Sequence, residues 1–119
     1  MKKKPKVSVI MSEYNTPVEK LDSSIQSILK QTYSNFEFII VDDCGKNNLE
    51  KFVQKYEDDR IIVINNEENE GLVASLNKAI SYSKGRYLVR MDTDDYAYSN
   101  RIFMLYDFIK KKPTICCSE

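Results

Sequence analysis

The feature that most constrains the fold is a regular alternation between short apolar runs and longer segments whose apolar residues recur at helical spacing. Short apolar runs bounded by polar residues are typical of strands buried inside a sheet. Strands separated by helices pair in parallel, because each crossover returns the chain to the same end of the sheet. The sequence therefore predicts an α/β fold, a mostly parallel sheet with helices on both faces in three layers. The predicted strands are residues 7–11, 36–41, 61–64, 87–91 and 114–117.

Helices are predicted between these strands. The first begins with Thr16-Pro17-Val18-Glu19, which has the form of a capping box with proline at the first helical position. Gly85 is well placed to end the third helix, and Pro113 stops the fourth. The predicted apolar faces are Val18, Leu21, Ile25, Ile28 and Leu29; Leu49, Phe52, Val53 and Tyr56; Leu72, Leu76, Ala79 and Ile80; and Ile102, Leu105, Tyr106 and Ile109.

Charge and composition exclude several classes of protein. Lys and Arg number 18 and so do Asp and Glu, which argues against a nucleic-acid partner, although lysines collect at the amino end. No apolar run approaches the roughly 20 residues that span a bilayer. We expect a soluble, cytoplasmic protein with no transmembrane segment in this chain. Histidine is absent, which excludes imidazole bases and ligands, and the cysteines Cys44, Cys116 and Cys117 are predicted to be reduced.

Polar and acidic residues follow each predicted strand, and in an α/β sheet these strand ends form the ligand-binding edge. Ser12 to Asn15 follow the first strand, Asp42 and Asp43 the second, and Asp92-Thr93-Asp94-Asp95 the fourth. Aspartates crowded at one edge repel each other unless a cation or hydrogen-bond donors neutralise them. An oxygen-ligated divalent metal, Mg²⁺ or Mn²⁺, is the economical explanation.

Five motifs, in order along nearly the whole chain, also resemble those of family 2 glycosyltransferases of the GT-A fold. They are residues 7–15 (VSVIMSEYN), 27–33 (SILKQTY), 36–43 (FEFIIVDD), 69–72 (NEGL) and 92–95 (DTDD). The resemblance implies a Rossmann-like nucleotide-binding half that takes a nucleotide-sugar donor, usually a UDP-sugar. It also implies inverting transfer of the sugar to a glycan or lipid-linked acceptor, in the cytoplasm or at the cytoplasmic face of the membrane.

The resemblance also implies roles for individual residues. Ser12, Tyr14, Asp42 and Asp43 would line the nucleoside pocket, with a carboxylate accepting a hydrogen bond from uracil. Asp92 and Asp94 would contact ribose or metal, and Asp94 and Asp95 would hold the metal that bridges the diphosphate. These assignments compete with simpler interpretations. Asp42 and Asp43 could cap a turn, Asp92, Asp94 and Asp95 could cap the fourth helix, and Ser12 and Tyr14 could make local hydrogen bonds. Gly71 could serve as a turn or present its amide to phosphate, and Arg90 could form an ion pair or contact the substrate.

In length the chain falls short of that family, whose members carry a second half with the acceptor site and the catalytic base. We therefore expect residues 1–119 to form a single nucleotide-sugar-binding domain, truncated before the acceptor-binding half, with the base outside this chain. An unfinished sheet exposes an edge and apolar surface, which would also allow two copies to form a homodimer.

Two other classes share some of these features. A phospho-receiver signalling domain has about this length and clustered aspartates, but it needs a phosphorylatable aspartate after the third strand, where this chain has Asn65. A nucleotidyltransferase shares a nucleotide and metal edge, but it needs a glycine-rich, basic loop after the first strand. Residues 12–17 contain neither glycine nor lysine.

Overall fold

A computed structural model describes residues 5–93, 97 and 99–111, with side chains as far as residue 107 in the last helix. Strands and helices alternate along these residues, as predicted, and the predicted fifth strand and Pro113 lie outside them. The elements are β1 Val7–Glu13, α1 Val18–Leu29, β2 Phe36–Asp42, α2 Leu49–Val53, followed by a 3-10 turn Gln54–Tyr56, β3 Ile61–Asn65, α3 Leu72–Tyr82, β4 Tyr87–Arg90 and α4 Arg101–Lys111.

The described strands form one parallel sheet in the order β3-β2-β1-β4. Ile10 of β1 lies opposite Ile39 of β2 and Arg90 of β4. The chain builds outward from β1 through β2 to β3 and then returns to place β4 on the other side of β1. The direction of winding therefore reverses between β1 and β4, and ligands in α/β sheets bind at such a reversal.

Two apolar layers cover the sheet, one on each face. On one face, Val9 and Phe38 pack with Leu21 and Ile25 of α1 and with Ile102 of α4, and α2 adds Leu49. On the other face, Ile10, Ile39 and Val41 pack against Ala79 of α3. Side chains alternate between the faces of a strand, so β1 and β2, which are covered on both faces, are buried at nearly every position. The α/β architecture with helices on both faces is confirmed.

The start of α1 differs from the prediction. The helix begins at Val18, its N-cap is Pro17, and no side chain caps it. The Thr16 hydroxyl instead donates to Thr93 Oγ1 at 2.9 Å, joining two loops that are distant in sequence. The predicted capping box is therefore wrong, because a tertiary partner takes the hydroxyl that the box would use.

The end of α3 also differs from the prediction. The helix ends at Tyr82 and its C-cap is Ser83, so Gly85 does not terminate it. Gly85 packs against β1 instead: its N–H donates to Ser8 Oγ at 2.8 Å. A Cβ at this position would lie 2.5 Å from Ser8 Oγ and 2.7 Å from the Ser8 nitrogen. Glycine is required here for a close approach of two backbones.

The apolar face predicted for α3 is only partly buried. Leu72 is 49% exposed and Ile80 is 41% exposed, whereas Ser75 and Ala79 are fully buried. Small side chains let the helix lie close to the sheet, which leaves the flanking larger residues in solvent. None of the helices in the described part of the chain is long and apolar enough to cross a bilayer.

Candidate functional site

A cleft of about 450 Å³ opens at the carboxyl ends of β1 and β4, where the winding of the sheet reverses. The β1–α1 loop forms one wall, the first residue of α3 another, and the residues after β4 the floor. The lining residues are Ser12, Tyr14, Asn15, Thr16, Pro17, Lys20, Leu72, Arg90, Asp92 and Thr93. The fold therefore brings three of the predicted site residues, Ser12, Tyr14 and Asp92, to one cavity.

The β1–α1 loop presents Tyr14 to solvent at the mouth of this cleft, with 51% of its surface exposed. The next residue, Asn15, has a left-handed backbone (φ 53°), a conformation that asparagine tolerates better than most residues. Its side-chain Oδ1 accepts a hydrogen bond from the Lys46 backbone N–H at 2.6 Å. The turn that projects Tyr14 is thus held against the β2–α2 loop.

Glu13 is fully buried at the end of β1, between Ser12 and Tyr14. Its Oε2 accepts from the Thr16 N–H at 2.9 Å and from the Asn47 side chain at 3.4 Å. Asn47 also donates to the Thr16 carbonyl at 2.8 Å. The glutamate therefore ties the cleft wall to the next loop, a role that sequence reasoning missed, because an acid after a strand is usually exposed.

Asp42 and Asp43 lie at the neighbouring end of β2 and do not line the cleft. Asp42 is 8% exposed, and its Oδ1 accepts from the Gly45 N–H at 3.3 Å. Asp43 is only 2% exposed. The pair thus occupies the edge that the sequence predicted, beside the cleft and largely shielded from water.

The Asp43 carboxylate organises the loop between β3 and α3. Oδ1 accepts from Asn66 Nδ2 at 2.9 Å and from the Glu70 N–H at 2.7 Å. Oδ2 accepts from Asn69 Nδ2 at 3.1 Å and from the Gly71 N–H at 3.0 Å. These donors match the roughly four lone-pair sites of an ionised carboxylate. The loop is therefore built around one aspartate.

Two opposing effects act on the pKa of Asp43. Burial desolvates the carboxylate and would raise the pKa, but the hydrogen bonds from Glu70, Asn66, Gly71 and Ser75 together outweigh it. The pKa lies below its usual value, so the side chain is a carboxylate at neutral pH.

Gly71 serves as a turn in this arrangement. Its backbone is left-handed (φ 94°), it precedes α3 as the N-cap, and its N–H donates to Asp43. Between the two interpretations of this glycine, the hydrogen bond favours the turn over an amide that faces phosphate. Lys78 supports the same loop by donating to Asn66 Oδ1 at 2.5 Å and to Glu70 Oε2 at 3.0 Å.

Arg90 and Asp92 form an ion pair on the floor of the cleft, with Arg90 Nη2 3.2 Å from Asp92 Oδ1. Both side chains are partly exposed, at 40% and 45%. Arg90 Nε is buried and has no hydrogen-bond acceptor among the described residues. With Lys20 also lining the cavity, the described charges of the cleft are two cations and one carboxylate.

Asp94 and Asp95, predicted to hold a metal, lie outside the described residues. Within the described ranges, no group of three or more acidic or cysteine side chains could hold an ion. Cys44 is exposed and its backbone is left-handed (φ 63°), and Cys116 and Cys117 lie outside the described residues.

Comparison with known proteins identifies the family to which this sequence and fold belong. The family described as glycosyl transferase family 2 matches residues 8–118. The uncharacterized glycosyltransferase MJ1057 of Methanocaldococcus jannaschii is 40% identical over 94% of this chain and 40% of its own length. The Escherichia coli protein WfgD, a UDP-Glc:alpha-D-GlcNAc-diphosphoundecaprenol beta-1,3-glucosyltransferase, is 35% identical over 88% of this chain and 41% of its own length.

Solved structures show the same fold. S. aureus TarS superposes with a TM-score of 0.81 at 28% identity, covering 89% of this chain and 32% of that one. Its complex with UDP superposes with a TM-score of 0.80. The GT-A fold implied by the sequence motifs is confirmed.

The chain spans about two fifths of the length of the curated relatives that it matches. The family match nevertheless covers most of the chain and includes all five sequence motifs in part or in full. The resemblance is therefore confirmed: this chain belongs to glycosyl transferase family 2.

Proposed function

We propose that this chain is the donor-binding part of a glycosyltransferase that moves a sugar from a UDP-sugar to a glycan or lipid-linked acceptor. The cleft at the β1–β4 reversal carries the proposal, because Ser12, Tyr14 and Asp92 converge there beside an aspartate-centred loop. Such crevices hold the nucleotide in α/β sheets. Residues 1–119 form one nucleotide-sugar-binding domain in this proposal.

The nucleoside lies against Tyr14 and Ser12, with its base toward the end of β2. Tyr14 exposes an aromatic ring at the mouth of the cleft, a surface on which a base can stack. A uracil N–H donates to a carboxylate of the Asp42 and Asp43 pair. Of the donors to Asp43, the Asn69 side chain is exposed, so it can turn away and let the base replace it without leaving an oxygen unpaired.

The diphosphate lies over the floor of the cleft, near Arg90 and Asp92. Lys20 and Arg90 bring positive charge to this part of the cavity, which favours an anionic ligand. Asp94 and Asp95 are the proposed ligands of Mg²⁺ or Mn²⁺. Asp92 lies toward the ribose. When bound, that ion supplies positive charge that neutralises the leaving diphosphate.

The names of related proteins support these choices of donor and acceptor. WfgD is named for a UDP-glucose donor and an undecaprenol-linked acceptor, and TarS has a structure in complex with UDP. By analogy, the acceptor here is lipid-linked or glycan in nature, and the protein acts in the cytoplasm or at the cytoplasmic face of the membrane.

Transfer itself proceeds with inversion in this proposal. The acceptor hydroxyl attacks the anomeric carbon of the sugar while the bond to the UDP oxygen breaks, and the hydroxyl proton passes to a carboxylate base. That base is supplied by a part of the enzyme outside this chain.

Family membership and local chemistry both argue against the two alternatives, a phospho-receiver domain and a nucleotidyltransferase. β3 ends at Asn65, which cannot be phosphorylated as a receiver aspartate is. The β1–α1 loop contains neither glycine nor lysine, which a nucleotidyltransferase would need to hold a triphosphate.

The proposal is tested by titration calorimetry of the chain with UDP, with and without MnCl₂. We expect weak binding that strengthens with Mn²⁺, and we expect the Asp95→Asn variant to lose the Mn²⁺ dependence but keep its fold. A lack of UDP binding in the presence of Mn²⁺ would contradict the donor assignment. Measurable sugar transfer by residues 1–119 alone would contradict the placement of the base outside the chain.

A further inference from the structure

Helix α1 carries a polar stripe on its buried side. Ser24 and Ser27 lie three residues apart on one face of α1, and Gln31, two residues beyond the end of the helix, joins them by a hydrogen bond to the Ser27 carbonyl. They are 0%, 3% and 6% exposed. Buried polar side chains are costly unless they have hydrogen-bond partners, so their partners indicate what the stripe does.

Each member of the stripe bonds to a backbone group of the segment that begins at Asp92, after β4, and ends at Ile102, in the first turn of α4. Ser24 Oγ donates to the Asp92 carbonyl at 3.0 Å. Ser27 Oγ accepts from the Ala97 N–H at 3.0 Å. Gln31 Oε1 accepts from the Ile102 N–H at 2.9 Å. The three bonded residues, Asp92, Ala97 and Ile102, therefore follow one another in the direction in which α1 runs toward Gln31.

The stripe is also bonded internally, which fixes the orientation of its side chains. Ser27 Oγ donates to the Ser24 carbonyl at 2.7 Å, and Gln31 Nε2 donates to the Ser27 carbonyl at 3.0 Å. The Ser27 hydrogen is thereby used within the helix, so its oxygen is free to accept from Ala97. Gln31 is likewise oriented with its carbonyl oxygen toward Ile102.

Other contacts at the ends of α1 bind the same segment. Thr16 Oγ1 donates to Thr93 Oγ1 at 2.9 Å, and the Thr32 N–H donates to the Ser99 carbonyl at 2.7 Å. The last sheet bond before this segment is from the Met91 N–H to the Ile10 carbonyl. Once the chain leaves the sheet, its backbone polar groups need other partners, and α1 provides them.

We propose that Ser24, Ser27 and Gln31 are positioning residues for the acidic run Asp92–Asp95. Their hydrogen bonds hold the backbone at Asp92, the first residue of that run, and at Ala97, two residues beyond its end. Through the backbone at Asp92 they set where the Asp92 side chain lies in the cleft that it lines. This inference rests on the proposed function, in which that run contacts the ribose and the metal.

The test compares two serines on the same helix. Ser27→Ala removes the acceptor of the Ala97 N–H, whereas Ser23→Ala makes the same change at an exposed position of α1. Both variants replace serine by alanine and so gain the same helix propensity. A difference in behaviour between them therefore reports the loss of the hydrogen bond to Ala97. Gln31→Met, which removes the acceptor of the Ile102 N–H with little change in volume, is an independent second variant.

Amide hydrogen exchange by NMR gives the first measurement. In Ser27→Ala, exchange at Ala97 should be faster by roughly fivefold to tenfold, the factor that one neutral hydrogen bond contributes. In Gln31→Met, amide exchange at Ile102 should be faster by the same factor. The amides of Ile39 and Ile40 in β2 should exchange as in the unmodified chain, and Ser23→Ala should change neither region.

UDP titration in MnCl₂ gives the second measurement. Ser27→Ala and Gln31→Met should each weaken UDP binding by about threefold to tenfold, the effect of a lost hydrogen bond, and Ser23→Ala should not. Unchanged exchange at Ala97 and Ile102, or an equal increase in β2, would overturn the positioning role, as would faster local exchange with unchanged UDP affinity. If the unmodified chain binds no UDP, the proposed function fails. The exchange data then still show whether the hydrogen bonds from Ser27 and Gln31 hold the backbone at Ala97 and Ile102.

Discussion

The Asp43 carboxylate at the end of β2 accepts a hydrogen bond from the Gly71 N–H, 3.0 Å away, although 28 residues separate the two in sequence. This bond joins the end of a central strand to the turn that starts α3. Leu72, the next residue, lines the cleft. The shape of one cleft wall therefore depends on a single buried carboxylate.

Asp43→Asn is expected to destabilise the protein and weaken UDP binding. An amide group offers one acceptor oxygen where the carboxylate offers two, so at least one buried N–H donor faces an NH₂ group. The expected loss of unfolding free energy is about 1–3 kcal/mol, measured by urea denaturation. Glu68→Gln makes the same chemical change at an exposed position of the β3–α3 loop, to which Asp43 is bonded, and should have almost no effect. Equal stability of the two variants would contradict the central role of Asp43.

Tyr14→Ala is expected to weaken UDP binding without changing stability. The ring is 51% exposed and so contributes little to the core, whereas stacking on a base is worth about 1–3 kcal/mol, or roughly tenfold in affinity. Calorimetric titration with UDP measures this effect, and circular dichroism checks the fold. Tyr82→Ala, at a tyrosine that is 58% exposed and does not line the cleft, is the matched control. Equal UDP affinities of Tyr14→Ala and Tyr82→Ala would show that Tyr14 does not contact the nucleotide.

Gly85→Ala is expected to destabilise the pairing of β1 with β4. The new Cβ would lie 2.7 Å from both the Ser8 nitrogen and the Val7 carbonyl carbon, and backbone atoms cannot move aside as a side chain can. Overpacking of this kind costs about 1–3 kcal/mol, measured by urea denaturation. Adding Ser8→Ala should recover little stability, because it removes only the contact with Oγ. Full recovery of stability in the double variant would show that the strain comes from the Ser8 side chain and not from the backbone.

The carboxyl group of Asp22 is expected to titrate at unusually low pH. Hydrogen bonds from the Tyr56 hydroxyl and from Gln26 lower the pKa of Asp22 from 3.8 to about 2. A pKa that is lower in the folded state stabilises the protein above the unfolded pKa, near 4, and this contribution is lost as the pH falls toward about 2. Tyr56→Phe should raise the pKa of Asp22 toward 3.8, measured by NMR titration. Tyr33→Phe should leave it unchanged, and an equal shift in both would contradict the assignment.

The strands and helices were predictable because their signals are local. β2 contains the continuous apolar run 38–41, which indicated a strand buried on both faces, and Leu21, Ile25 and Ile28 recur at the period of a helix packed on a sheet. The order β3-β2-β1-β4 does not follow from periodicity, because period is a property of each segment alone. The carboxyl ends of the strands then identified the edge where Ser12, Tyr14 and Asp92 meet.

Predictions that depended on a single short motif were less successful. Thr16 had the spacing of a capping residue, but its hydroxyl bonds to Thr93 instead. Gly85 had the position of a helix terminator, but it is required for a close contact with Ser8. In both cases the motif was consistent with a local role, and a partner 77 residues away in sequence determined the actual one.

The sequence by itself determined the α/β class, the family and the edge of the sheet where acidic residues gather, because hydrophobic period and motif order are properties of neighbouring residues. Only the tertiary structure decided what those residues do for each other. It enclosed Asp43 within the β3–α3 loop and set Ser27 against Ala97, a pair 70 residues apart. A buried group bonds to whichever segment packs against it in the folded chain. The hydrophobic period of one segment does not say which other segment that will be.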